Sequence, residues 1–370
     1  MQSPEKDRAD DLTFSSDLPA GWTVATPRES DADELTALLR RHEKGGRGWP
    51  GAGEDDVLVE ISAEGQTVRQ NIALRDRGDV IRGWAGAHDR AAGRMLLSVI
   101  VDRRLDDSTA DRAAEVLFEW ADEAATNVGV DRGLDVQQID TGTFAGDARQ
   151  HRWLAKAGYQ KVRTWWQMTR PVTPDEAELL PDPGEGVVIR RVERAGSGMP
   201  DEDDLRTVHE ILESSFADHF NHHGEEFDEF LFRLREDPGH RWDHWWIAEL
   251  VDEGVDIEPA GTLVANEIAG SDSKPAGSYV SYIGVLQSAR GRGVAKALLN
   301  TVIADAAERG GDRVDLEVDA DSPTGADGLY LSMGWQTSYV TQSWHRDVPV
   351  QDCCSYPSST RGATRVGSQA

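Results

Sequence analysis

Apolar residues along the chain recur with two periods, and the order in which the periods alternate divides it into two similar halves. In the first half, an extended stretch at 22–24 precedes a segment where Leu35, Leu38 and Leu39 share one helical face behind Ser30 and Asp31 as the helix cap. A glycine-rich loop is expected over 45–53, and 55–64 fits either a strand or a short helix. Extended patterns at 69–74, 80–87 and 95–101 predict strands, with turns at Arg77-Gly78 and Ala92-Gly93. A helix over 113–125, a strand over 133–139, a helix over 148–157 stopped by Gly158, and a strand over 162–168 follow.

The second half repeats this order. Residues 186–189 answer 22–24, the apolar face of 205–216 answers the one around Leu38, and strands over 261–268 and 278–285 answer the two that end at Val101. Gly334-Trp335 answers Gly158-Tyr159, an offset of 176 residues (334 − 158). The expected organisation is a mobile tail (1–17), a first domain (18–170), a linker (171–186) carrying Pro171, Pro174, Pro181 and Pro183, a second domain (187–348) and a disordered tail (349–370).

Within the second half, the pattern around 281–309 predicts strand, glycine turn and helix. Gly291 and Gly293 permit a tight turn that leaves successive N–H groups free to face an anion at the helix N-terminus, and Arg290, Arg292 and Lys296 add positive charge there. Val294, Leu298, Leu299, Val302, Ile303 and Ala306 form one helical face, which ends at Gly310-Gly311. The spacing does not fit a Walker loop, which ends in Gly-Lys-Ser or Gly-Lys-Thr, or a dinucleotide G-x-G-x-x-G fingerprint.

Arg290-x-x-Gly293-x-Ala295 resembles the R/Q-x-x-G-x-G/A motif of the GNAT superfamily of acetyl-CoA-dependent N-acetyltransferases. The alternating strand 314–318 and Leu329-Tyr330-Leu331-Ser332-Met333-Gly334-Trp335 extend the resemblance. It implies an α+β chain of two tandem GNAT (acyl-CoA N-acyltransferase) domains, each a mixed, mostly antiparallel sheet flanked by helices. Tandem chains are a known type in the family, mycothiol synthase among them. By the same resemblance the coenzyme's pantetheine arm lies along Ile283, Gly284 and Val285, and its pyrophosphate is held by the backbone of Arg290, Gly291, Arg292, Gly293, Val294 and Ala295. Tyr330 falls where many members protonate the departing thiolate. Many members have Asn at the start of that helix; here Ser322-Pro323 stands instead, itself a good helix start.

The first half departs from this pattern. Residues 102–111 contain no glycine and several aspartates, and the position equivalent to Tyr330 is Leu154 (330 − 176). That copy is expected to be degenerate and not to bind acetyl-CoA productively. The expected activity is acetyl transfer to a primary amine in the second domain. The alternatives are a non-catalytic acyl-CoA-binding sensor or scaffold and, more narrowly, mycothiol synthase-like acetylation of a cysteinyl amine. The acceptor stays open between small amines, amino sugars, antibiotics and protein amines, and the oligomeric state is not specified. Glu267 and Glu317 are the candidate carboxylates for a general base.

Composition narrows the rest. The net charge of −28 over 370 residues speaks against nucleic acid and would help attract a cationic amine. With only Lys6, Lys44, Lys156, Lys161, Lys274 and Lys296 against many Arg and Asp, the bias also reads as salt adaptation. The longest apolar run, 95–101, is too short for a membrane span, and 1–11 lacks the apolar core of a signal peptide, so a cytoplasmic location is expected. Cys353 and Cys354 are adjacent and offer neither a disulfide framework nor a zinc site. His219 and His223 have i, i+4 spacing without a completing ligand, so no metal is expected. Trp242, Trp245 and Trp246 are expected in the core or lining an acceptor pocket.

Overall fold

The structure, a computed structural model, describes residues 18–90, 94–194, 199–217, 224–251, 257–270, 275–321 and 325–350. In chain order the first half contributes β1 (Thr23–Ala25), α1 (Ala32–Arg47), α2 (Glu54–Ile61), β2 (Arg69–Arg75), β3 (Ile81–Arg90), β4 (Arg94–Val101), α3 (Asp107–Arg132), β5 (Val136–Phe144), α4 (Ala148–Lys156) and β6 (Gln160–Pro171). After a short helix, α5 (Glu176–Leu179), the second half gives β7 (Val187–Arg191), α6 (Glu202–Phe216), α7 (Phe227–Arg235), β8 (His240–Val251), β9 (Ile257–Ile268) and β10 (Gly277–Val285). It ends with α8 (Val294–Glu308), β11 (Arg313–Asp319), α9 (Ala326–Ser332) and β12 (Gln336–Pro349).

All twelve strands join one sheet, ordered β1-β2-β3-β4-β5-β12-β6-β11-β10-β9-β8-β7. The order shows that the halves exchange their last strands. β12 pairs with β5 of the first half, from Thr341↔Phe144 to Pro349↔Val136, and β6 pairs with β11 of the second, from Arg313↔Pro171 to Asp319↔Trp165. β12 and β6 also pair with each other at the centre. Since every interior strand must pair its backbone groups, each half closes its sheet with the other's strand.

Strand parity divides the core. One face of the sheet packs on α3 and α8, through Leu97, Val99 and Leu117 in the first half and Leu263, Leu298 and Val314 in the second. The other face packs on α1 and α2 through Leu35, Val57 and Trp84, and on α6 and α7 through Val208, Phe230 and Trp245. Arg69 of β2 donates to Glu236, just after α7, at 2.8 and 3.0 Å. α7 packs over β8 and β9, and β9 stands eight places from β2 in the sheet; a flat sheet would hold them roughly 40 Å apart. The sheet therefore curls, and the face carrying α1 and α7 is concave.

Some local expectations change. The loop expected over 45–53 begins later, because α1 continues through Gly45 and Gly46 and stops at Gly48, whose φ is 97°. The two helical glycines serve close approach: a Cβ on Gly46 would meet the Phe144 ring at 1.9 Å, and one on Gly45 the Arg103 side chain at 2.4 Å. Asp31 does not cap forward; its carboxylate accepts from the Arg28 N–H at 2.9 Å. The ambiguous segment 55–64 is helical up to Ile61. Pro349 and Val350, expected in the tail, belong to the fold, since Pro349 ends β12 and the Val350 N–H donates to Asp135 O at 2.9 Å. Residues 1–17 and 351–370, including both cysteines, lie outside the described residues, as do Ser322 and Pro323. Among the described residues no helix is long and apolar enough to cross a membrane.

The exchange has a direct consequence. Each half produced alone leaves its fifth and sixth strands without the intervening strand, and such edges self-associate. Residues 18–186 and 187–350 expressed separately are expected to elute as oligomers or aggregates, and to copurify as a 1:1 complex when coexpressed. Size-exclusion chromatography with light scattering checks this, and two monomeric halves that melt cooperatively would contradict it.

Candidate active site

β10 and β11 are parallel neighbours, yet they pair only over Ser278–Val280 and Val314–Leu316. A β-bulge follows at once: β10 matches Val280 to Ala265 but Tyr282 to Val264, so Ser281 is the extra residue. Beyond the bulge β10 stays on β9 while β11 diverges. From Ser281 to Val285 the inner edge of β10 has no strand partner among the described residues, which leaves a wedge open to an extended ligand that pairs as a strand does. Gly284 allows α6 to pack against this strand, since a Cβ there would meet Ser215 Oγ at 2.9 Å.

The wedge opens toward the glycine turn. Gly291 and Gly293 have φ of 80° and 83° with open space around each Cβ position, so the left-handed backbone, not crowding, requires glycine. α8 starts at Val294, and the Ala297 N–H donates to Gly293 O at 3.0 Å as the first helical bond. The amides of Gly293, Val294, Ala295 and Lys296 belong to the first turn, which has no intrahelical acceptor. Arg290, Arg292 and Lys296 are exposed around them. Val294, Leu298, Leu299, Val302 and Ile303 are buried and hold the helix against the sheet. The structure places Ile283, Gly284 and Val285 next to the turn 290–295, but the amides of Arg290 and Arg292, expected to face an anion, donate to Gln287 O at 3.3 Å and Ala289 O at 3.4 Å within the turn.

Tyr330 is buried on α9, in the same apolar cluster as Val280, Val294 and Val318, and its ring meets Trp335 edge-on at 5.9 Å. Burial pushes its phenol up to about 12. The two candidate carboxylates separate. Glu267 pairs with Arg241 at 2.5 Å, opposite Ser278 at the far end of the β9–β10 ladder. Glu317 is the residue just past the last β10–β11 pair, on the concave face, where it accepts from Gln167 Nε2. Solvent reaches it, but the surroundings are dense; burial raises its pKa, against the Gln167 hydrogen bond. Tyr279, Tyr282 and Tyr339 gather nearby. Burial and then Glu317 raise the Tyr279 phenol, and Tyr339 OH accepts from Arg47 of the first half at 3.1 Å.

The equivalent turn in the first half is closed by its own carboxylates. Asp106 accepts from the Thr109 N–H at 3.1 Å and caps α3. Asp102 is fully buried and pairs with Arg82 at 2.9 Å and Arg104 at 2.7 Å. Burial works to raise its pKa, but the arginine hydrogen bonds hold it at about 2. Leu154 is buried in the α3 core. The first half nevertheless keeps a cavity of about 480 Å³ where β4 and β5 diverge, lined by Ser98, Phe144, Trp165 and Gln167 and reaching Glu317. Sequence reasoning missed this cavity because β6, β11 and β12 reach it only through the strand exchange.

The aromatic and histidine cluster resolves into structure. Trp245 and Trp246 are core residues on opposite faces of β8, while Trp242 is partly buried beside Trp245. His244 lies buried beside Asp305 at 3.3 Å. His219 and His223 lie outside the described residues, and among those described no three His, Cys, Asp or Glu form a metal-binding group.

Residues 205–335 match the acetyltransferase (GNAT) family model, a span that contains the bulge, the cradle and Tyr330 and none of the first half. A GCN5-related N-acetyltransferase from Sphaerobacter thermophilus superposes with a TM-score of 0.68 at 23% identity, over 90% of this chain and 98% of that one. A tandem GNAT protein from the clavulanic acid biosynthesis pathway gives 0.62 at 12%, over 90% and 100%. Saccharomyces cerevisiae N-myristoyltransferase with bound myristoyl-CoA gives 0.57 at 11%, over 93% and 86%. No curated protein matches the sequence. The fold is that of the GNAT acyl-CoA N-acyltransferases, and the length is consistent with tandem copies.

The Glu317 environment is testable without any ligand. Its folded pKa lies above the ordinary value of 4.5, so its favourable contribution is present in full below pH 4.5 and is lost as pH rises through the folded value. Glu317→Gln keeps an acceptor for Gln167 and removes the charge. Its melting temperature is expected to exceed that of the wild type at pH 8, with the gap closing below pH 4.5 in a calorimetric pH series.

Proposed function

We propose that this protein is an acetyl-CoA-dependent N-acetyltransferase that acylates a primary amine, with its active site in the second half. One observation carries the reading: the free edge of β10 runs directly into an exposed, glycine-built anion cradle, so an amide-bearing arm and a diphosphate find matching partners in sequence. Acetyl-CoA, as co-substrate, supplies an activated acyl carbon. Amides of Gly291 and of Gly293 to Lys296 would receive the diphosphate, and the edge at Ile283, Gly284 and Val285 would align the arm and offer N–H groups to the carbonyl oxygen as charge develops there.

Proton handling divides between two groups. Glu317, its pKa moved toward neutrality, takes the proton that the attacking ammonium must lose. Tyr330 stays protonated at neutral pH and donates to the sulfur as the carbon–sulfur bond breaks. The first half holds no equivalent of either the open cradle or the tyrosine, and its role in this reading is non-catalytic.

Calorimetry of coenzyme A with the full chain, followed by thiol release from acetyl-CoA across a panel of amines, tests the proposal. Tyr330→Phe is expected to lower turnover by on the order of 10²-fold with coenzyme affinity unchanged. Gly293→Ala forces a left-handed alanine at a cost of about 1–2 kcal/mol and is expected to weaken coenzyme binding about tenfold. Failure of the wild type to bind coenzyme A would remove the reading, and tight binding without thiol release for any amine would replace it with a sensor.

A further inference from the structure

We infer that the acceptor is an amine that also carries a carboxylate, of the amino acid class, and that Arg90 of the first half, beside Arg233, receives that carboxylate in the second half's site. The inference rests on the acetyltransferase reading for the amine and stands on separate geometry for the acid.

The curl of the sheet brings the β2–β3 edge against α7. Arg69 faces His88 across the ladder and binds Glu236. Arg90 lies two residues beyond His88 on the same face of β3, and Arg233 lies three residues before Glu236. The two guanidinium groups are therefore within electrostatic range of each other. Burial first and Arg233 second depress the Arg90 pKa, against Tyr282 and the Glu225 carboxylate, which act on it through space without a direct ion pair.

Each guanidinium around Arg90 has its own carboxylate within ion-pair distance. Arg69 has Glu236 at 2.8 Å and Glu60 at 3.3 Å; Arg233 has Glu225 at 2.6 Å; Arg94 has Asp140 at 2.7 Å. Arg90, half-buried, has no ion pair or hydrogen bond among the described residues. A partly desolvated cation without a partner is costly, and an anionic ligand would offset that cost.

Arg90 also sits where an acceptor must lie. Tyr282 immediately follows the bulge, faces α6 and α7, and accepts from Arg233 Nη1 at 2.8 Å. On the other side of the same concave mouth, Tyr279 and Tyr339 sit with Glu317 and Asp315. The concave face thus carries Glu317 and Arg90 with phenols between them, while Arg47 donates to Tyr339, Arg313 pairs with Asp315 and Glu225 pairs with Arg233. An ammonium belongs at Glu317 and a carboxylate at Arg90.

The test uses matched acceptors: amino acids, their carboxamides and the corresponding decarboxylated amines, assayed by thiol release with the full chain. The free acid is expected to exceed its amide at least about tenfold in kcat/KM, mainly through KM, as for a charge-assisted contact. In Arg90→Met that ratio is expected to fall toward one, and Arg90→Lys to restore part of it. Melting temperature serves as the folding control, and removing an unpartnered charge is expected to leave Arg90→Met at least as stable as the wild type.

Calorimetry supplies a second readout. With coenzyme A present, an N-acetylated amino acid is expected to bind more tightly than its amide, and Arg90→Met to abolish the difference. Turnover of amines with no preference for the acid would keep the transferase reading and overturn this inference. Absence of thiol release alongside Arg90-dependent binding of the acid would do the reverse. Equal binding of acid and amide by the wild type, or a preference that survives Arg90→Met, overturns the inference outright.

Discussion

The exchange of β6 and β12 is the constraint from which the rest of the structure follows. Strand backbones in a buried sheet must pair on both sides, and here β5 and β11 each find their inner partner in the opposite half. Two six-stranded sheets become one of twelve, and its curl creates a concave face that neither half would have alone. That face holds the mouth of the wedge, the cavity shared across the exchange, and the contact of Arg69 with Glu236.

The two turns after the fourth strand of each half differ in what meets the first turn of the helix that follows. In the second half Gly291 and Gly293 leave the first turn of α8 exposed, with arginines around it. In the first half Asp106 supplies the anion from within, and Asp102 consumes the charge of Arg82 and Arg104. Because an internal carboxylate carries no loss of translational freedom, a free phosphate competes with it at a disadvantage. Divergence of β4 from β5 persists all the same, so the first half retains the shape of a wedge without its anchor.

Legibility in the sequence followed the range of the interactions. Strands, the α8 face and the glycine turn were readable, since local periodicity and backbone handedness set them. The helical run through Gly45 and Gly46 was not, because those glycines answer to Phe144 and Arg103, some 60 to 100 residues away. The tryptophans of β8 were expected in the core or lining a pocket, and Trp245 and Trp246 are core residues on its two faces, but their crowding hid the alternation of the strand itself. Glu267 and Glu317 were indistinguishable as strand carboxylates; register places one beside Arg241 and the other at the open end of the wedge.

The sequence by itself determined the two similar series of elements, the position of the glycine turn, the place of Tyr330 and the absence of glycine turn and tyrosine from the first half. Each of these is written in short-range patterns: glycine where φ must be positive, apolar residues at a helical period, aspartate where glycine would be needed. Only the tertiary structure decided that the copies interlock, which carboxylate meets the wedge, and that Arg90 of one half stands beside Arg233 of the other. Those outcomes depend on which strand pairs with which, and strand partners about 140 to 210 residues apart are chosen by the closing of the whole sheet.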